Sequence, residues 1–156
     1  MLQIISHIDE YTQTDLKQLR NLLDLATRKD YLIQRPTNWF MQPLSQGEGL
    51  GVKCNGVLVG HGMLYPFMLN GQLYGILYGL VWREKYGGGD LVISEISRIA
   101  VNRFEKTYGC VRKWNTNSLN ILNKYGYQII DPTGCDPHLL EKAAYGENAF
   151  LLCLNH

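Results

Sequence analysis

Three consecutive glycines, Gly87, Gly88 and Gly89, follow an apolar run that ends at Trp82, and a segment of helical spacing follows them. Glycines let a backbone turn several N–H groups toward one point, and a helix start adds unpaired N–H groups and partial positive charge. Together these make a pocket for a phosphate or pyrophosphate, and the same residues also suit a tight strand-to-helix turn that holds nothing. The stretch Lys85-Tyr86-Gly87-Gly88-Gly89-Asp90 is neither G-x-x-x-x-G-K-[ST] nor G-x-G-x-x-G. The Asp90 carboxylate repels a phosphate but is also an ordinary helix cap. His61, between Gly60 and Gly62, has the intrinsic titration range of a base at neutral pH, or is a structural histidine in a strand. Tyr78 is a second polar candidate on a face that otherwise suits core packing, and His138 opens a short helix where it can touch a substrate. Trp39, Phe40, Tyr65, Tyr74 and Trp82 complete a set of large rings that suits a core, or an acceptor with an apolar or cationic part.

The elements that position these residues follow from spacing. Leu2 to Ile8 reads as a strand. Thr12 and Asp15 have capping-box spacing, and Leu16, Leu19, Leu23 and Ala26 continue as an amphipathic helix ending near Arg28 or Lys29. Pro36, Pro43 and Gly47 make the next region irregular. Asn55-Gly56 and Asn70-Gly71, each between apolar runs, predict two tight hairpins and a three-stranded antiparallel meander. In its last strand Tyr74, Ile76, Tyr78, Leu80 and Trp82 are expected on one face, with Gly75, Leu77, Gly79 and Val81 on the other. Val92, Ile96, Ile99, Ala100 and Phe104 form the stripe of a helix that Gly109 is expected to end. A strand from Cys110 to Trp114, a helix capped by Asn115 or Asn117 and stopped at Gly126, and a strand from Tyr127 to Ile130 follow. Asp136-Pro137 opens a short helix, and Phe150 to Leu154 is the last strand. The order predicts one α/β (α+β) domain over residues 1–156, with a mixed sheet.

Composition narrows the function. With 15 Lys plus Arg against 14 Asp plus Glu, the formal charge is +1, which argues against nucleic-acid binding by bulk electrostatics. The 46% apolar content is ample for a packed core. No run reaches the ~20 apolar residues that span a bilayer, and the first residues lack the basic and apolar regions of a leader. Cys54, Cys110, Cys135 and Cys153 show neither C-x-x-C spacing nor zinc-ligand spacing. They are expected as buried free thiols in a reducing cytoplasm, with no metal.

From Gly51 to Ile130 the chain resembles the GNAT superfamily of acyl-CoA-dependent N-acetyltransferases. The likeness rests on the hairpin Lys53-Cys54-Asn55-Gly56-Val57-Leu58-Val59-Gly60, on Val81 at the end of the fourth strand, on Lys85-x-x-Gly88-x-Asp90 where that family has (Arg/Gln)-x-x-Gly-x-(Gly/Ala), and on Asn115 followed by a helix and Tyr125-Gly126-Tyr127. Lys85 and Asp90 depart from the loop pattern, and the shifted register Glu84-x-x-Gly87-x-Gly89 restores its glycines but begins with Glu. The resemblance implies a mostly antiparallel sheet flanked by helices, with acetyl-CoA as co-substrate in a splay between the fourth and fifth strands. It further implies that the backbone of Leu80 and Val81 holds the pantetheine arm, that the amides of Gly87, Gly88, Gly89, Asp90 and Leu91 hold the pyrophosphate, and that Asn115 bonds the arm. The Val81 N–H is then the oxyanion donor. Where the family often has a tyrosine as thiolate acid this chain has Leu122, and Tyr125 is the nearest tyrosine. The implied reaction is direct attack on the thioester by an amine of a small molecule or peptide. A homodimer is left open. The alternative is a non-catalytic module of the same fold that binds acyl-CoA or a protein partner.

Overall fold

The computed structural model describes residues 1–32, 42–46 and 48–155. Trp39 and Phe40, read as core rings or as contacts to an acceptor, lie outside the described residues. The strands are β1 (Leu2–Ile5), β2 (Gly49–Cys54), β3 (Val57–Leu69), β4 (Gln72–Trp82), β5 (Thr107–Arg112), β6 (Tyr127–Ile130) and β7 (Ala149–Leu154). The helices are α1 (Gln13–Arg28), α2 (Gly88–Arg103), α3 (Thr116–Lys124) and α4 (Pro137–Lys142). One seven-stranded sheet has the order β1-β2-β3-β4-β5-β7-β6. All neighbours are antiparallel except β4 and β5, which run parallel.

Local chemistry explains most element boundaries. The Thr12 side chain accepts from the Asp15 amide at 3.0 Å and the Asp15 carboxylate accepts from the Thr12 amide at 2.9 Å, a reciprocal cap that opens α1. Asn55 and Gly56 have φ of 51° and 81°, and Asn70 and Gly71 have 52° and 79°. These are the left-handed pairs that a two-residue hairpin needs. The Asn115 side chain caps α3, accepting from the Ser118 amide at 3.3 Å, and Asp136 caps α4 through the His138 amide at 2.8 Å.

Three expectations are corrected. The first strand ends at Ile5 rather than Ile8, because Ile8–Glu10 forms a single tight turn. Helix α2 ends at Arg103, and Gly109 lies inside β5 instead of ending the helix. Phe104 is extended, and its ring fills the space that Gly75 leaves open on β4, where a Cβ would lie 2.5 Å from it. That contact turns the chain from helix to strand several residues before the first glycine. Third, the two faces of β4 exchange part-way along.

That exchange is a β-bulge. His61 pairs with Val81 but Met63 pairs with Tyr78, so β4 carries one residue more than β3 between them. Gly79 takes φ of 62° there. Before the bulge, Tyr74, Ile76 and Tyr78 face the side covered by α1 and α4. Beyond it, Val81 takes that side, while Leu80 and Trp82 join Leu77 against α2 and α3. Helices α2 and α3 pack Val92, Ile93, Ile96 and Leu122 on one face; α1 packs Leu19 and Leu23, and α4 packs Leu139, on the other. Among the described residues, no helix is long and apolar enough to cross a membrane.

Candidate active site

Strands β4 and β5 pair over only three residues, Gly75–Leu77 against Thr107–Gly109. Past that point the β4 bulge begins and β5 turns to pair with β7 alone as far as Arg112. The strands part, and a cavity of about 440 Å³ opens between them. From β4 it is lined by Ile76 to Leu80, and from β5 by Gly109, Cys110 and Val111.

The cavity passes through the sheet, and its two ends differ in chemistry. On the α2–α3 side Leu80, Val111, Asn115, Ser118, Leu122 and Tyr127 form a wall without charge. On the α1–α4 side Tyr31, Glu48, Tyr65, Tyr78, Glu141 and Lys142 supply the charges and most of the rings. The chain after α1 is tied to the tip of β5, where the Trp114 indole N–H donates to the Asp30 carbonyl at 2.8 Å and the Arg112 guanidinium stands 3.8 Å from the Asp30 carboxylate. That tie holds Tyr31 and Leu32 against the cavity.

The glycine run is built as much by packing as by any ligand. A Cβ on Gly88 would lie 1.9 Å from the Val59 carbonyl oxygen, and one on Gly60 would lie 2.7 Å from the Gly88 oxygen. The first turn of α2 is thus pressed onto β3 where neither backbone carries a side chain. Gly87 stands left-handed at φ 64° and ψ 27°. Its amide donates to Glu84 O at 3.2 Å, the Gly88 amide to Arg83 O at 3.4 Å, and the Leu91 amide to Gly87 O at 3.3 Å. Of the five amides expected to hold a pyrophosphate, three therefore have loop or helix partners. Gly89 and Asp90 remain, and both line a second hollow of about 300 Å³ with Trp82, Glu84, Gly87, Asn117, Asn120 and Ile121.

One side-chain bridge spans that hollow and another leaves from its edge. The Asn117 amide donates to Glu84 Oε1 at 2.9 Å. The Asp90 carboxylate accepts from Lys124 Nζ at 2.6 Å and from the Tyr125 hydroxyl at 3.1 Å. The bond from the Lys124 ammonium holds the Asp90 carboxyl below its usual range.

The other expected site residues divide plainly. Tyr78, Leu80 and Asn115 line the cavity. Tyr125 does not, because its hydroxyl is turned to Asp90. His61 is fully buried on the α1 side, with Nε2 2.8 Å from the Tyr11 hydroxyl, and burial pushes its pKa down to about 3. It is neutral in the working range and lines neither hollow, so the base expectation is corrected to a structural role. Val81 is buried opposite His61 and leaves the cavity wall to Leu80, because the bulge shifts the strand by one residue. Lys85 is exposed beside the Tyr86 ring and lines neither hollow. All four cysteines are free, but only Cys153 is fully buried. Cys110 reaches the cavity wall, and burial pushes its thiol up to about 12.

Ser118, Glu48 and Glu141 are among the cavity residues that escaped the sequence reading. Ser118 sits in the first turn of α3, inside the spacing of the Asn115 cap, so its position was legible even though its exposure to the cavity was not. Glu48 and Glu141 carry no spacing signal. Glu48 is placed by the β2–β3 register, with its carbonyl accepting from the Leu64 amide at 2.9 Å.

No family model and no curated protein matches the chain by sequence. Solved structures do match by shape. N-acetylglutamate synthase from Neisseria gonorrhoeae, complexed with coenzyme A and N-acetyl-glutamate, aligns with 100% of this chain at 14% identity and TM-score 0.74. The chain spans 36% of that synthase. A GNAT-family acetyltransferase from Streptococcus pneumoniae aligns over 98% of both chains at 16% identity and TM-score 0.64. This is the GNAT fold. A chain of the NatC complex bound to Gag peptide and CoA aligns over 99% of this chain and 98% of its own, at 14% identity and TM-score 0.70. The parted strands, the bulge on β4 and the helix start beside them are thus placed within a GNAT fold.

Proposed function

We propose that the chain transfers an acyl group from acetyl-CoA to a primary amine of a small molecule or peptide by direct attack. The observation that carries this reading is the cavity through the sheet, open to an uncharged wall on one face and a charged, aromatic wall on the other. Two reactants can then meet between β4 and β5, each against a wall of its own chemistry, which supplies the proximity that a bimolecular transfer needs. Coenzyme A in the N-acetylglutamate synthase and NatC structures supports the choice of donor.

In this reading the acyl-pantetheine arm lies along Leu80, Val111, Asn115 and Ser118. The amides of Gly89 and Asp90 face the pyrophosphate at the start of α2. The residue added by the bulge leaves backbone out of the ladder, and the Leu80 N–H takes the oxyanion role that the resemblance gave to Val81. The attacking amine arrives neutral from the α1–α4 side. Cys110 stays a thiol at its raised pKa, so an acyl-cysteine intermediate is not part of the mechanism.

A second reading, a non-catalytic module of the same fold, is favoured by the carboxylates of Glu84 and Asp90 beside the pyrophosphate position and by Leu122 in the wall. Calorimetric titration with acetyl-CoA and with thiol-free desulfo-CoA separates the two. Saturable binding of both, lost in a folded Leu80→Trp variant whose ring fills the cavity, followed by thiol release when amines are added, is the expected result. Binding without thiol release across an amine panel selects the non-catalytic module. The absence of binding at millimolar concentration on folded protein overturns the acyl-CoA reading.

A further inference from the structure

Glu48 is a half-buried carboxylate in the wall of the through-sheet cavity. Its backbone is fixed at both ends, the amide donating to Pro43 O at 3.2 Å and the carbonyl accepting from the Leu64 amide at 2.9 Å. Its side chain accepts from the Tyr78 hydroxyl at 2.9 Å. The salt bridges among the described residues join Lys53 to Asp15, Arg98 to Glu95, Arg112 to Asp30 and Lys124 to Asp90, and none includes Glu48. A carboxylate has about four acceptor positions on its two oxygens, and with one phenol donor in place Glu48 keeps others that a bound ammonium can fill.

The surroundings suit a cation of a particular kind. Tyr31, Tyr65 and Tyr78 bring three rings to the same wall, and ring faces attract cations. Tyr65 already has Lys142 Nζ 5.7 Å from its centroid. Glu141 and Lys142 stand exposed on α4 at the rim, and Cys110 lies on the β5 side. Tyr78 is the last residue before the bulge, so the Glu48 carboxylate stands a full tyrosine side chain away from the backbone where acyl transfer is placed. The nitrogen that Glu48 holds is therefore not the attacking one.

We infer that the acceptor is an aliphatic molecule with two amines, one attacked beside the bulge and the other held as an ammonium by Glu48 among Tyr31, Tyr65 and Tyr78. This rests on the acyl-transfer reading and names its substrate class. The attacked amine forms the C–N bond as the C–S bond breaks, and the departing thiolate takes the proton that the new amide sheds. The held ammonium exchanges nothing. Glu48 is a positioning residue, and its removal acts on substrate binding.

Thiol release is measured with acetyl-CoA and either 1,5-diaminopentane or pentylamine, which has the same chain with one amine fewer. The wild type is expected to prefer the diamine by at least about tenfold in kcat/KM, the scale of one charge-assisted hydrogen bond. In Glu48→Gln the preference should shrink toward unity through KM, with kcat little changed and thermal stability retained. Equal use of both amines by the wild type overturns the diamine inference and leaves acyl transfer standing. Where neither amine releases thiol, calorimetry of the diamine alone decides. Binding lost in Glu48→Gln keeps the cation site while acyl transfer fails, and no binding overturns the site.

Discussion

Gly88 shows how a residue chosen for one chemical reason is held by another. As a member of a glycine run it suggested an anion cradle, and a charged substitution such as Gly88→Asp is the obvious test of phosphate binding there. The carbonyl of Val59 occupies the place of its Cβ, so the test would break the fold before it touched a ligand. Gly88→Ala is expected to cost about 3 kcal/mol or more in urea unfolding, since the contact is backbone on backbone and neither side can give. Gly134→Ala, where an added Cβ meets nothing within 4 Å, should stay within about 0.5 kcal/mol. Asp15 gives a second prediction at this scale. Burial pushes its carboxyl up, but the Thr12 amide and hydroxyl and the Lys53 ammonium, 3.0 Å away, outweigh that and hold it below the usual range. Its folded pKa therefore lies below its unfolded one, and the stability it lends is present above the unfolded value and lost as pH falls toward the folded one. Asp15→Asn should flatten the acid side of the stability curve followed by circular dichroism, and should also lower stability near neutrality by about 3 kcal/mol because Lys53 is left buried and unpaired. Burial itself was not legible in the sequence. His61 has an ordinary base's chemistry on paper and becomes a neutral partner of Tyr11 only once β2 and α1 close over it.

At the scale of elements, features written by neighbours in sequence were readable and those written across the sheet were not. The Thr12–Asp15 cap, the two Asn-Gly hairpins and the Asn115 and Asp136 caps each depend on residues no more than a few positions apart. The bulge on β4 depends on the count of residues in β3, and so the alternation of Leu80 and Trp82 with Tyr78 failed. Tyr125 failed for a related reason: its hydroxyl answers to Asp90 on another helix. The bridge between α2 and α3 leads to a prediction. Asp90→Ala removes a carboxylate from the hollow at the start of α2 and releases Lys124. The exposed pair contributes under about 1 kcal/mol to stability, so the fold should barely notice. On the acyl-transfer reading, acetyl-CoA should bind several-fold tighter by calorimetry at low salt, with the gain shrinking as salt screens the pyrophosphate. Weaker binding in the variant would show that Asp90 holds the site open instead.

For the whole molecule, a mixed sheet with flanking helices was legible because alternation, turn signals and helical stripes all agreed on it. The cavity was legible only in half. Its β4, β5 and α3 walls come from segments whose order matches a known arrangement, whereas Glu48, Glu141 and Tyr31 reach it from loops and helix ends that no local pattern places. The three-residue pairing of β4 with β5 has a consequence for the molecule's dynamics. Strands β1 to β4 form one antiparallel block and β5, β7 and β6 another, and in the sheet only Gly75–Leu77 and Thr107–Gly109 join them. Such a seam separates cooperative units that open independently. Amide exchange should therefore sort into two classes of protection, one per block, in the free protein. A molecule lodged across the parting would act as a cross-brace and draw the two classes to a common, slower rate.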